Sequence, residues 1–153
     1  MKTPPLRRAS PLDVGSVRDL VRAAYAKWVP LIGREPRPMT ASYEHAVVDH
    51  IIDLYEEGNR PVALIEMIPE GSCLLIENVA VLPEHQHKGI GESLLQHAET
   101  LARSLGLAEL RLYTNAAFGA NIAFYARRGY EEFQREPLAA GGELVHMKKA
   151  IAP

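Results

Sequence analysis

The stretch Glu84-His85-Gln86-His87-Lys88-Gly89-Ile90-Gly91 concentrates two glycines, a lysine and two imidazoles in eight residues. A strand-like apolar run precedes it and an amphipathic run follows, so Gly89 and Gly91 fall where a helix begins. The first N–H groups of a helix have no partner within it, glycine leaves them uncovered, and the helix dipole adds positive potential. Such a turn accepts a phosphate, or it is a tight connection from strand to helix. It is neither a Rossmann nor a P-loop fingerprint, because position 94 is Leu94 where a third glycine is needed and no Gly-Lys-Ser/Thr occurs. His85 and His87 have no third ligand in register, so no metal is expected. Cys73, the single cysteine, lacks a His or Asn partner and fits a small buried residue at a strand start; alone it forms no internal disulfide.

These residues need elements to hold them. Ser10-Pro11-Leu12-Asp13 has a hydroxyl cap and an acid three residues on, and Val14, Val17, Leu20, Val21, Ala24 and Trp28 recur at helical steps, which predicts a helix over about 12 to 27. A short helix is predicted near Ala41 to Asp49. Between them Pro30, Gly33, Pro36 and Pro38 predict a loop without helix from Pro30 to Met39. Strands are predicted from Ile51, over Pro61 to Ile68 after the turn Gly58-Asn59, and over Cys73 to Leu82. Leu94, Leu95, Ala98, Leu101, Ala102 and Leu105 mark one face of a helix ending at Gly106. Leu107 to Thr114 then reads as a strand, Ala120 to Arg128 as a helix, and Tyr130 to Arg135 with Glu143 to Ala150 as a closing hairpin. Strand, glycine loop, helix and strand in succession form a right-handed crossover that makes its two strands parallel. The fold class is α+β on a mixed sheet, with Arg7 and Arg8 expected to guard an edge strand against pairing.

Two spacings carry a resemblance. Val79-Ala80-Val81-Leu82-Pro83-Glu84 runs into Gln86-x-x-Gly89-x-Gly91, and one strand later comes Asn121-x-x-Phe124-Tyr125-x-x-x-Gly129-Tyr130. The chain here resembles the GCN5-related N-acetyltransferase (GNAT) superfamily, whose pyrophosphate loop follows Gln/Arg-x-x-Gly-x-Gly/Ala. The match spans nearly the whole chain in element order and is most specific over residues 73 to 130. Gln86 replaces the commoner arginine and His87 stands where glycine is frequent, while Lys88 can supply charge.

The resemblance implies one domain over residues 1–153, in the order strand, two helices, three strands, helix, strand, helix, two strands, with the fourth and fifth strands parallel and parted around a cofactor. That cofactor would be acetyl-coenzyme A. Its pantetheine amides would meet the backbone of Val79, Ala80 and Val81. Its pyrophosphate would rest on the N–H groups of Gln86, His87, Lys88, Gly89, Ile90 and Gly91, helped by Lys88 and Ser93. Asn121 would face the cofactor, and Tyr125 would stand near the thioester sulfur, where a hydroxyl donor assists a departing thiolate whose thiol has a pKa of about 8.5. Glu77, the one acid inside the apolar strand, is the base expected to take a proton from an amine of pKa near 10, unless it is a face residue or an arginine partner. The acceptor cleft would be roofed by the connection from Trp28 to Met39 and by the final hairpin. Tyr25, Trp28 and Met39 would offer an apolar wall, and Arg34 and Arg37 a grip for a carboxylate, favouring a small amine with an acidic or aromatic group over a polyamine.

The chain's bulk properties agree with this and narrow it. At 153 residues it fits one domain, and 47% hydrophobic with 24% charged residues supports a packed core. A net charge of −2 supplies no basic field for nucleic acid or anionic membrane. No apolar run approaches about 18 residues and no secretory signal is expected at the start, so the expected compartment is the cytoplasm. The activity implied is acetyl transfer to a primary amine of a small molecule or peptide by direct attack in a ternary complex; the oligomeric state is open, a homodimer being one option. The alternative is a module that holds acyl-coenzyme A as a sensor without turnover.

Overall fold

One seven-stranded sheet organises the computed structural model, which describes residues 5–152. Its strands are β1 (Leu6–Arg8), β2 (Ile51–Glu57), β3 (Arg60–Glu70), β4 (Cys73–Val81), β5 (Glu109–Asn115), β6 (Glu131–Pro137) and β7 (Glu143–Ala150), in lateral order β1-β2-β3-β4-β5-β7-β6. The pairing of β4 with β5 is parallel and the others are antiparallel, as the crossover predicts. The helices are α1 (Val14–Tyr25), α2 (Val29–Ile32), α3 (Arg37–Thr40), α4 (Tyr43–Asp49), α5 (Ile90–Ser104) and α6 (Gly119–Ala126). None of the helices described is long and apolar enough to cross a membrane.

Both faces of the central strands are covered, which explains why they are apolar without alternation. Leu64, Val62, Ile52 and Leu54 pack with Val17, Leu20, Val21 and Ala24 of α1 and with Tyr43, Ala46 and Val47 of α4. Ala63, Ile65, Met67, Leu74 and Ile76 pack instead on Leu94, Leu95, Ala98 and Ala102 of α5. Each fully buried Val, Leu or Ile contributes roughly 1.5–3 kcal/mol relative to exposure.

The first helix is shorter than its pattern. Ser10 and Asp13 form the expected capping box, but on a 3-10 turn, Pro11–Asp13; α1 follows, and a second 3-10 turn, Ala26–Trp28, ends the segment. The proline-rich stretch does contain helix, contrary to expectation. Pro30 and Pro38 lie in the first turns of α2 and α3, where a missing N–H breaks no intrahelical bond. Arg7 and Arg8 do lie on an edge strand, β1, and acids of the neighbouring elements hold both. Arg7 bonds Asp13 and Glu56 at 3.0 Å each, holding the Asp13 carboxyl down at about 2, and Arg8 bonds Asp53 at 2.6 Å.

Candidate active site

β4 and β5 pair only from Cys73 opposite Glu109 to Ile76 opposite Leu112. On its other side β4 slips against β3: Glu66 faces Asn78 while Met67 faces Ile76, so Glu77 is the extra residue of a β-bulge. A bulge bends its strand and sharpens its twist. It falls where the parallel pair ends, and beyond it the two strands part. Leu82 N–H donates to Val62 O, so by ladder alternation Ala80 directs its backbone groups to β3, whereas Val79 and Val81 direct theirs into the gap. The backbone of Ala80 is therefore not available to a ligand, although that of its neighbours is. Val79 O accepts a long bond from Tyr25 Oη at 3.3 Å, and Val81 O accepts from Gln86 Nε2 at 2.9 Å.

The gap opens into a cavity of about 350 Å³ that brings together Tyr25, Arg34, Glu77, Val79, Asn121 and Tyr125. Tyr25 Oη donates to Asn78 Oδ1 at 2.7 Å, and burial pushes its hydroxyl well above the usual range. Tyr125, on α6, stands edge-on to Phe124 and Tyr130, and burial raises its hydroxyl to about 12. Glu77 Oε1 accepts from Tyr113 Oη of β5, across the point where the strands separate. A second cavity of about 210 Å³ shares Arg37, Pro38, Glu77, Asn78 and Tyr113 with the first. Its floor holds Glu66, whose Oε2 is 2.6 Å from His50 Nδ1; burial raises this carboxyl and the His50 contact opposes the rise.

At the open end of β4 the chain passes a 3-10 turn, Pro83–His85, and enters the glycine loop. His87 has φ 62° and Gly89 φ 84°, so the histidine occupies a left-handed conformation that glycine adopts freely. α5 starts at Ile90, leaving the N–H groups of its first turn for a ligand. Gly91 has a different reason to be glycine: a Cβ there would lie 3.2 Å from Phe124 Cζ, so it lets α6 approach α5 closely. Lys88 is exposed. Gln86 is engaged at both ends, accepting from Lys27 Nζ at 2.9 Å as well as donating to Val81. The Ser93 hydroxyl is buried and donates to Gly89 O at 3.2 Å, which fixes the loop from within.

The expected acceptor wall is rearranged. Trp28 does not line the cavity but stacks on Phe118, ring centroids 4.3 Å apart, clamping the end of the first helical segment to the start of α6. Met39 is buried beneath the roof, and its carbonyl accepts from Arg22. Arg34 reaches the cavity, yet its guanidinium donates to Ala140 O at 3.3 Å and Gly141 O at 2.9 Å, strapping the roof to the β6–β7 loop. Arg37 lines both cavities with its guanidinium 5.7 Å from the Tyr113 ring, while the neighbouring acid Glu35 pairs with Arg22. Tyr113 and Asn78 were not singled out by sequence. Only the alternation of Leu110 and Leu112 with Arg111 and Tyr113 hints that Tyr113 turns away from the α5 face.

A seven-stranded sheet whose one parallel pair parts beside a glycine loop is a specific architecture, and known proteins share it. The PaiA N-acetyltransferase from Thermoplasma acidophilum, crystallised in complex with coenzyme A, superposes with a TM-score of 0.80 over 96% of this chain and 98% of that one, at 18% identity. Spermidine N(1)-acetyltransferase of Thermoplasma acidophilum is 37% identical over 49 residues, 32% of this chain and 30% of that protein. The [ribosomal protein bS18]-alanine N-acetyltransferase of Escherichia coli strain K12 is 38% identical over 55 residues, 36% and 37% of the two chains. The aligned segments thus span about a third of the curated relatives they match. Residues 17–130 match the acetyltransferase (GNAT) family, a span that takes in most of α1 and all of the bulge, the glycine loop and α6, and on that match the chain belongs to the GNAT family.

Proposed function

We propose that the protein is an acetyl-coenzyme A-dependent N-acetyltransferase acting on a primary amine. The reading rests on one juxtaposition: the Glu77 carboxylate, the Tyr125 hydroxyl and the free edge of β4 face the same cavity. The residues present suit the cofactor. Backbone groups of Val79 and Val81 turn into the gap where pantetheine amides would pair, and the N–H groups from His87 to Gly91, with the α5 dipole behind them, suit a pyrophosphate. Asn121 and Tyr125 are one helical turn apart on α6 and both border the cavity. Bound there, acetyl-coenzyme A supplies an activated acyl thioester.

Glu77 then accepts the proton that the attacking amine must lose, directly or through one water. Tyr125, kept protonated by burial, donates a hydrogen bond where negative charge develops on sulfur. Arg34 is spent on strapping the roof to the β6–β7 loop, and Arg37 is the cation left to meet the acceptor. That favours a small amine carrying a carboxylate or an aromatic ring. The matched relatives are named for amine acceptors, spermidine and a protein alanine, which supports the amine class while leaving its member to Arg37's side of the cavity.

The test is release of free thiol from acetyl-coenzyme A across a panel of amino acids, arylalkylamines, peptides and polyamines, with Glu77→Gln as comparison. Turnover that falls at least a hundredfold at neutral pH in Glu77→Gln, and less where the amine is already unprotonated, supports the reading. Tight cofactor binding without thiol release from any acceptor would make the protein a sensor module instead.

A further inference from the structure

We propose that Tyr113 is a positioning residue that aims Glu77 at the acceptor amine through the hydrogen bond it donates to the carboxylate, an inference that rests on Glu77 being the base. A bulge residue has no directly opposed partner, so the strand ladder alone does not fix where its side chain points. Tyr113 supplies what the ladder omits. It is the first β5 residue past the last paired step, Ile76 opposite Leu112, and its Oη donates to Glu77 Oε1. The ring is itself held in place, with the Arg37 guanidinium 5.7 Å from its centroid and the His146 ring of β7 at 5.8 Å.

The charges around Glu77 make this donor consequential. Glu66 of β3, opposite Asn78, is a second carboxylate on the wall of the cavity that Glu77 borders, and its Oε2 is 2.6 Å from His50 Nδ1. Tyr43 of α4 is near enough to feel Glu77, and burial raises its hydroxyl, so it remains neutral. Arg37 of α3 borders the same wall. Tyr113 is the group in direct hydrogen-bond contact with Glu77, and burial beside that carboxylate raises its own hydroxyl, so it remains a donor throughout the working range. In the transfer step the proton leaves the amine nitrogen and settles on Glu77 Oε2, while Oε1 keeps its bond from Tyr113. The bond is stronger to the anion than to the acid, so it favours return of the proton to solvent.

The experiment compares kcat/KM against pH for the unmodified protein, Tyr113→Phe and Glu77→Gln, with binding of acetyl-coenzyme A measured in each. Tyr113→Phe is expected to move the acidic limb up by about one pH unit or more, the equivalent of one hydrogen bond to a charged group, with cofactor affinity unchanged. Loss of plateau rate with the limb unmoved assigns Tyr113 a merely structural role and overturns the proposal. Persistence of the limb in Glu77→Gln overturns the base reading itself, and this proposal with it. A limb that vanishes in Glu77→Gln but stays put in Tyr113→Phe overturns only the role of Tyr113. Should Tyr113→Phe fold poorly, Arg37→Met releases the ring from its cation and is expected to move the limb in the same direction by a smaller amount; an unmoved limb there also counts against the proposal.

Discussion

Tyr125→Phe removes one oxygen and keeps every packing contact of the ring, which lies 5.5 Å from Phe124 and 5.9 Å from Tyr130 between centroids. What is lost is a donor whose pKa is raised by burial to about 12. The thiol of the leaving group has a pKa of about 8.5, so complete transfer of the tyrosine proton to the thiolate is uphill by roughly 3.5 pK units, or about 5 kcal/mol at 1.36 kcal/mol per unit. On the proposed reading the hydroxyl would stabilise sulfur as charge develops and retain its proton, instead of acting as the full general acid that the family resemblance suggests. A hydrogen bond to a charged acceptor is worth about 1.5–3 kcal/mol, which predicts a fall in kcat of roughly 10- to 150-fold. Because the interaction strengthens only in the transition state, affinity for acetyl-coenzyme A should change less than threefold. Thiol release at saturating substrates gives kcat, and calorimetric titration gives the affinity. A fall in kcat beyond about 10⁴-fold, or equal losses in kcat and affinity, would refute donation without transfer.

Gly89→Val places a β-branched residue at φ 84° in the middle of the anion loop, and coenzyme A affinity should drop tenfold or more, about 1.4 kcal/mol; calorimetry on a folded variant showing no change would exclude the loop as the phosphate site. Arg34→Ala cuts the two bonds to Ala140 and Gly141, so the acceptor KM should rise several-fold with cofactor affinity intact, and an unchanged KM would show that the strap has no part in acceptor binding. Asp53 is buried, which raises its carboxyl, but bonds from His97 at 2.7 Å and Arg8 at 2.6 Å outweigh this and hold it below the usual value. A depressed folded pKa contributes stability that is present above the unfolded value near 3.9 and lost as pH falls through the folded one. Asp53→Asn should thus destabilise by about 2 kcal/mol at pH 7 in urea unfolding, with the gap to the unmodified protein closing below pH 4; a pH-independent gap would contradict the linkage.

Local features were legible in the sequence. The glycine loop, the α5 face and the Asn121-to-Tyr125 spacing are set by residues within one or two helical turns, and each lies where its pattern puts it. Features decided by partners far along the chain were not. Trp28 has the composition of a cleft wall, but Phe118, ninety positions later, offers a stacking surface that takes it out of the cavity. Arg34 is a free cation in sequence and a tether in the fold, because the β6–β7 loop presents two carbonyls whose N–H partners lie elsewhere. The prolines of Pro30–Met39 argue against helix by pattern alone, yet a single turn needs no donor at its first positions, and α2 and α3 form there. Glu77 was visible as an odd acid in an apolar strand, yet nothing local revealed the bulge or its contact with Tyr113.

That bulge links the fold to the chemistry. Leu74 and Ile76 face α5, and so do Val79 and Val81, an even set followed by an odd one; only an extra residue between them can change the parity without twisting the strand out of the sheet. With Glu77 inserted, Ala80 turns to the α1 face and packs in its core, and Asn78 turns the same way to bond Tyr25 and hold Tyr43. β4 bends away from β5 at that same residue, so the insertion opens the gap, turns the backbone groups of Val79 and Val81 toward it, and leaves the Glu77 side chain on its wall. A β4 without the extra residue would continue in register with β5 past Leu112, its edge would be satisfied by Tyr113 and Thr114, and neither the free edge nor this placement of Glu77 would exist. Site and opening are therefore not separate acquisitions on this sheet, since one residue's insertion produces both.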